Sequence, residues 1–153
     1  MSLAPPARPI GDGYRFFSSG ALRTFRAIAE CIVPSEADLA GASGSAALVL
    51  ADAAIADRPV QDQKLIRLFL VIIEWLPFLR FGRRFSKLSR TKQMRVLEFF
   101  ESNRFVPKFR AGFFGVKTFA LLGFYGLGDT FAELDYPGPR LDAPYYQLSG
   151  RRP

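Results

Sequence analysis

The segment from Lys64 to Gly82 constrains the fold most, because it reads KLIRLFLVIIEWLPFLRFG and is apolar on almost every side of a helix. Arg67, Glu74 and Pro77 interrupt it, and its longest uncharged run is far shorter than the roughly 18 residues of a membrane-spanning helix. The pattern predicts a helix that is buried all round at the centre of the domain. A second interpretation is a helix that lies against lipid or against a large partner.

Four further segments show helical spacing of their apolar residues. Ser18 and Ser19 offer an N-cap for a helix that Pro34 ends, and an alanine-rich helix is predicted from about 46 to 56. Ser89 is predicted to cap the next helix, which runs to about 103. Pro107 suits the first turn of the last one. No segment alternates convincingly with period two, so we expect no β-sheet.

The whole chain, at 153 residues, has the size of one ordinary domain. The sequence predicts a compact all-α bundle of about five helices within residues 18–132. Residues 1–17 are predicted to form a flexible N-terminal arm. Residues 133–153 are predicted to form an extended tail rich in proline and glycine.

Residue counts exclude several kinds of active site. Histidine is absent and Cys31 is the single cysteine, so a disulfide within the chain, a Cys/His zinc site and a Ser-His-Asp arrangement cannot form. The glycine motifs that cradle phosphates are also missing. An enzyme built on the carboxylates Glu30, Glu36 or Asp38 has little support, because these acids lie at one helix end and in its loop, where capping is their ordinary role. We therefore expect no catalytic, cofactor-binding or metal-binding residue in this chain.

Positive charge is concentrated between Arg80 and Lys117, where eleven Lys or Arg residues face only Glu98 and Glu101. This stretch carries +9, whereas the whole chain carries +7. Nucleic-acid binding is not expected, since no helix-turn-helix pattern, zinc module or RNP-like motif accompanies the charge. Basic residues interleaved with phenylalanine suit an anionic membrane surface. The alternative is a solvated basic face whose phenylalanines point into the core.

The strongest candidates for membrane or hydrophobic contact lie at the start of the last helix. They are Arg104, Lys108, Phe109, Arg110, Phe113 and Phe114. The chain as a whole holds 16 Phe, five Tyr and one Trp, more aromatic volume than a domain of this size can enclose. Part of this apolar surface is therefore expected to be exposed on the isolated chain, which indicates a partner or a membrane.

Three features together resemble the gluconate 2-dehydrogenase subunit 3 family, whose members are small subunits of flavin-dependent alcohol and sugar dehydrogenases. They are LRTFRAIAECIVPSE at residues 22–36, a bundle without catalytic residues, and ELDYPGP at residues 133–139. The resemblance covers roughly residues 18–140 and depends on the order and spacing of the pieces. Residues 81–126 are also similar to the N-terminal helical region of long-chain alcohol oxidases. Those enzymes belong to the glucose–methanol–choline superfamily, as do the catalytic partners of the small-subunit family.

The resemblance implies a non-catalytic subunit that binds and stabilises a large FAD-containing alcohol or sugar dehydrogenase or oxidase. FAD is then expected in the partner and no cofactor in this chain. Seating on a membrane, or help in admitting a hydrophobic alcohol, would be an additional role. The alternative is a peripheral membrane-binding or scaffold module without any connection to flavin chemistry. Many members of the family carry a twin-arginine export signal and this sequence shows none, so we expect a cytoplasmic location or one at the inner-membrane surface.

The motif ELDYPGP poses a separate question, because it places rigid residues after the last predicted helix. Its prolines fix φ and its glycine permits an unusual backbone angle, so little conformational entropy is lost when such a segment docks on another protein. One hypothesis is that residues 133–146 dock on the large subunit; the other is that the turn packs back on its own bundle. The predicted partner-binding residues are Tyr136, Pro137, Gly138, Pro139, Tyr145 and Tyr146.

Overall fold

The computed structural model describes residues 13–37 and 41–126, and in these two ranges the only regular structure is helical. The helices are α1 (Ser19–Ile32), α2 (Ser45–Ala56), α3 (Val60–Phe81), α4 (Arg90–Ser102) and α5 (Pro107–Tyr125). A single 3-10 turn, Phe85–Lys87, leads from α3 into α4. The predicted compact bundle of five helices is therefore confirmed. The predicted boundary between the bundle and the tail lies outside the described residues.

Local signals account for where several helices begin and end. The hydroxyl of Ser18 accepts a hydrogen bond from the N–H of Ala21 at 3.3 Å, which makes Ser18 the N-cap of α1. Pro107 occupies the first turn of α5, where its missing N–H has no helical partner to lose. Gly82 ends α3 with a φ of 65°, a left-handed conformation that favours glycine.

Helix α5 is the centre of the bundle, since each of the other four helices packs against it. Small residues on α5 make this possible: a Cβ at Gly123 would collide with the carbonyl oxygen of Ala47 on α2, and one at Gly112 would collide with the Phe69 ring on α3. The backbones of α5 and α2 therefore approach closely, as they do at glycine positions in tightly packed helices.

The prediction that α3 is the central helix, buried all round, is wrong. Only Phe69, Leu70, Ile73 and Pro77 of its 22 residues are buried. Its opposite side carries apolar residues that are exposed. The hydrophobic pattern shows that every side of α3 is apolar, but it does not show which sides have neighbours. Because α5 takes the centre, α3 lies at the edge of the bundle with one side covered.

The residues just before α1 are part of the hydrophobic core. The side chains of Phe16 and Phe17 are buried, and the Phe17 ring packs 4.8 Å from that of Phe25. Core packing thus begins before residue 18, although residues 1–17 were predicted to form a flexible arm. Residues 1–12 of that arm lie outside the described residues.

A buried carboxylate on α2 holds this segment in place. Asp52, only 3% exposed, accepts hydrogen bonds from three consecutive backbone N–H groups: Arg15 at 2.6 Å, Phe16 at 2.9 Å and Phe17 at 2.8 Å. The Arg67 guanidinium donates to the carbonyl of Phe16 at 3.3 Å and lies 4.8 Å over its ring. Asp52 therefore satisfies backbone groups that burial would otherwise leave without a partner.

Replacing Asp52 by Ala is expected to destabilise the fold by about 3 kcal/mol, because it removes hydrogen bonds to a charged acceptor and leaves buried N–H groups unpaired. Urea unfolding followed by circular dichroism measures the change. Asp57→Asn is the control, since the Asp57 side chain is 69% exposed and its ion pair with Arg15 lies at the surface. Equal, small losses for both variants would contradict the role given to Asp52.

Gly123→Ala is expected to lower the free energy of unfolding by about 2 kcal/mol, since the new methyl group meets the backbone of α2, which cannot rotate away. Gly115 is the matched control on the same helix. A Cβ there meets no atom within 4 Å. Gly115→Ala is therefore expected to stabilise the chain by up to about 1 kcal/mol through helix propensity alone. Thermal unfolding of the two variants checks the sign of each change, and equal signs would contradict the close approach of α5 and α2.

Candidate functional site

The acidic side chains with the most contacts accept hydrogen bonds from other groups of the bundle. Glu30 at the end of α1 accepts hydrogen bonds from the N–H and the hydroxyl of Ser35, both at 3.0 Å, and from the hydroxyl of Ser43. Arg90 of α4 lies 3.8 Å from the same carboxylate. These contacts tie α1 to the loop before α2 and to α4. They fit the structural role that the sequence analysis preferred for Glu30; Glu36 is exposed, and Asp38 lies outside the described residues.

Burial of Glu30 acts to raise its pKa, but the hydrogen bonds from Ser43 and Ser35 and the charge of Arg90 together hold the pKa below its ordinary value of 4.5. A carboxylate whose pKa is lower in the folded state stabilises the fold above the unfolded pKa. This contribution is lost as the pH falls through the folded pKa.

Glu30→Gln is therefore expected to be less stable than the natural chain near neutral pH, by about 1 kcal/mol at this partly exposed position. The difference is expected to shrink as the pH falls from 4.5 through the lower pKa of the folded state, because the carboxyl of the folded natural chain then becomes neutral too. Urea unfolding at a series of pH values measures it. A difference that stays constant from neutral to strongly acidic pH would contradict this assignment.

The single cysteine, Cys31, is buried between α1 and α4. Burial raises the pKa of the Cys31 thiol, with Arg90 acting against this and Glu30 adding to it. The Sγ atom lies 3.5 Å from Oε1 of Gln93 on α4. A buried thiol with a raised pKa has little thiolate at neutral pH. Within residues 13–37 and 41–126, no group of three or more Cys and acidic side chains is placed to hold a metal ion.

The most unusual surface of the molecule is the side of α3 that faces away from the bundle, which we call the outer face of α3. Trp75 is 47% exposed, and Leu79, one turn later, is 85% exposed. The exposed apolar residues of this face are Leu65, Leu68, Val71, Trp75, Phe78 and Leu79. From Leu68 to Leu79 they form a stripe of about 16 Å along the helix. A continuous exposed apolar stripe of this length is typical of a binding surface.

The one carboxylate in the middle of α3 does not reach this face. Glu74 accepts hydrogen bonds from the hydroxyl of Thr24 at 3.1 Å and from the N–H and hydroxyl of Ser86 at 3.2 and 2.6 Å. Its charge is thus directed toward α1 and the 3-10 turn. The guanidinium of Arg84 lies 4.3 Å over the ring of Trp75 instead. The charges nearest the outer face at this end of α3 are therefore positive.

A groove of about 770 Å³ runs beside the C-terminal end of the outer face, between α3 and α4. Its charged lining residues are two arginines, Arg80 and Arg95, and its other lining residues are apolar. The apolar residues are Leu76, Pro77, Leu79, Phe81, Val96 and Phe99. Such a lining suits a ligand with an apolar body and a negative group.

The surface predicted at the start of α5 is only partly present. Phe113 is buried, and Phe109 is partly buried with its ring 5.3 Å from that of Phe100, so neither belongs to an exposed patch. Phe114, 70% exposed, does lie at the surface. Arg104, Lys108 and Arg110 are also exposed. The register of α5 decides this outcome, because neighbouring residues such as Phe113 and Phe114 point to different sides of a helix.

Phe105 lies in the connection between α4 and α5 and is 96% exposed. It was not among the residues predicted for this surface. The exposure of Phe105 could have been predicted from its position next to Arg104 and shortly before Pro107, which begins the last helix. The predicted partner-binding residues of the tail, from Tyr136 to Tyr146, lie outside the described residues. Among the residues that are described, no helix has the length and hydropathy needed to cross a bilayer.

Comparisons with protein families, with curated proteins and with solved structures find no match for this chain.

Proposed function

We propose that this chain is the non-catalytic small subunit of a FAD-dependent alcohol or sugar dehydrogenase or oxidase of the glucose–methanol–choline type. The observation that carries the proposal is the outer face of α3, an apolar stripe on the surface of a folded bundle. A stripe of this kind is stabilised when a second protein covers it. The resemblance of the early helix and of ELDYPGP to the gluconate 2-dehydrogenase subunit 3 family supplies the class of partner.

In this arrangement the large subunit holds FAD and abstracts hydride from the alcohol carbon. The small chain contributes binding only, so it needs no catalytic group. The carboxylates of Glu30, Asp52 and Glu74 accept hydrogen bonds from groups of the bundle itself. This is consistent with a subunit that contributes binding only. Trp75, with Arg84 stacked on its ring, is the residue best suited to anchor the interface, since Trp and Arg are enriched among residues that dominate binding energy.

A second candidate function is a peripheral membrane-binding or scaffold module unrelated to flavin chemistry. It is favoured by the exposed Phe105 and Phe114, which lie among the exposed cations Arg104, Lys108 and Arg110. Aromatic and basic side chains in this combination bind anionic interfaces. The same surface would also serve the first function, by seating a flavoprotein complex on a membrane.

Gentle affinity purification of the full chain from its native host distinguishes the two functions. We expect a yellow eluate with flavin absorption bands and a large subunit in roughly equal amount. Leu68→Ser combined with Val71→Ser is expected to weaken the complex by about 3 kcal/mol, or more than 100-fold, because it places hydroxyl groups in the middle of the interface. Both residues are exposed, so circular dichroism of the isolated variant should match that of the natural chain.

Val49→Ser is the matched control, since it replaces a half-exposed valine on α2 that is not part of the outer face of α3. This variant should retain the flavin and the large subunit. A colourless natural chain that elutes alone, or with lipid only, would contradict the flavoprotein function and favour the membrane module. Retention of the flavoprotein by the double variant would contradict the outer face of α3 as its docking surface.

A further inference from the structure

The C-terminal end of α3, with the adjoining turn and α4, combines apolar exposure with an unusual excess of positive charge. Seven Lys or Arg residues and no Asp or Glu lie between positions 80 and 95. They are Arg80, Arg83, Arg84, Lys87, Arg90, Lys92 and Arg95. Arg90 forms an ion pair with Glu30, with 3.8 Å between Nη1 and Oε1. Among the described residues, no ion pair with a carboxylate is found for the other six. The nearest acid on α3, Glu74, is held by Thr24 and Ser86.

Apolar side chains project among these cations. Leu79, 85% exposed, is the most exposed large apolar residue of α3, and Phe99 of α4 is half-exposed on the other side of the groove. Between them lies the groove whose only charged lining residues are Arg80 and Arg95. The guanidiniums of Arg84 and Arg80 lie 4.3 Å over the Trp75 ring and 5.9 Å over the Phe81 ring, respectively. Aromatic rings with cations beside them are suited to the level of lipid headgroups, where each side chain keeps its polar end in water.

We propose that this end of the molecule binds the surface of an anionic bilayer, with Leu79 and Phe99 inserted between lipids and the groove receiving part of an acyl chain. The inference does not depend on the flavoprotein partner. It places the lipid contact at Leu79, in the last turn of α3, and at α4, beyond the Leu68 and Val71 positions where the large subunit docks, and not at the start of α5. Charge complementarity selects the occupant. Four cations without a carboxylate partner lie beside the apolar residues of this surface, namely Arg80, Arg84, Lys92 and Arg95. They are more than one bound fatty acid needs, whereas a bilayer presents many negative headgroups to them.

The single tryptophan of the chain reports on this site directly, because Trp75 lies one helical turn before Leu79 on the same face. The full chain is titrated with vesicles of phosphatidylcholine and phosphatidylglycerol in a 7:3 ratio, and with vesicles of phosphatidylcholine alone. We expect Trp75 emission to shift to shorter wavelength with the anionic vesicles only. Lipids brominated on the acyl chain are expected to quench it. The affinity should fall as salt is added.

Arg80→Gln combined with Arg95→Gln is expected to weaken partitioning about 30-fold, since each cation near an anionic surface contributes about fivefold. Leu79→Ser is expected to weaken it several-fold and to reduce quenching by brominated lipid. Arg26→Gln combined with Arg58→Gln is the matched control: it removes the same charge from α1 and from the turn after α2, outside both basic surfaces, and should keep the quenching of Trp75. These side chains are exposed, so folding is expected to be preserved, and circular dichroism of each variant checks this.

Three results would overturn the proposal. The first is equal binding to neutral and anionic vesicles, or binding to neither. The second is a loss of Trp75 quenching in the control variant as large as that in Arg80→Gln with Arg95→Gln. The third is a shift of Trp75 emission with monomeric oleate but not with vesicles, which would make the groove a site for a free fatty acid.

Discussion

The arrangement of the bundle depends on the close approach that glycine allows on α5. Because Gly123 has no side chain, the backbone of α2 lies directly against α5, and Gly112 leaves room for the Phe69 ring of α3. While α5 is in contact with every other helix, α3 packs chiefly against α1, α5 and the 3-10 turn. The packing at α5 therefore decides that α3 lies at the edge and that one of its apolar sides faces outward.

Polar groups inside the fold reinforce this arrangement. Asp52 holds three backbone amides ahead of α1, and Glu74 connects α3 with α1 and with the turn before α4. Since Glu74 points away from the outer face of α3, this face keeps no acidic charge of its own between Leu68 and Leu79. The same contacts that stabilise the bundle thus leave an apolar stripe whose neighbouring charges at the C-terminal end of α3 are positive.

Helix positions were predictable from the sequence because caps and apolar spacing act over a few residues, as at Ser18 and Pro107. The position of α3 was not, since a helix that is apolar on every side gives no indication of which side is covered. The role of Asp52 was also beyond prediction, because it lies 35 residues from the Phe17 amide and no spacing rule connects them. For the candidate surface, the residue types were recognised, but the register of α5, which separates Phe113 from Phe114, was not.

The proposed function requires that a partner covers the outer face of α3. Hydroxyl-radical footprinting read by mass spectrometry tests it directly, by comparing the purified chain with the assembly isolated from its host. We predict strong protection of Leu68, Trp75 and Phe78 in the assembly, with Val49 on α2 modified equally in both samples. Equal modification of the α3 side chains in the two samples would contradict the account.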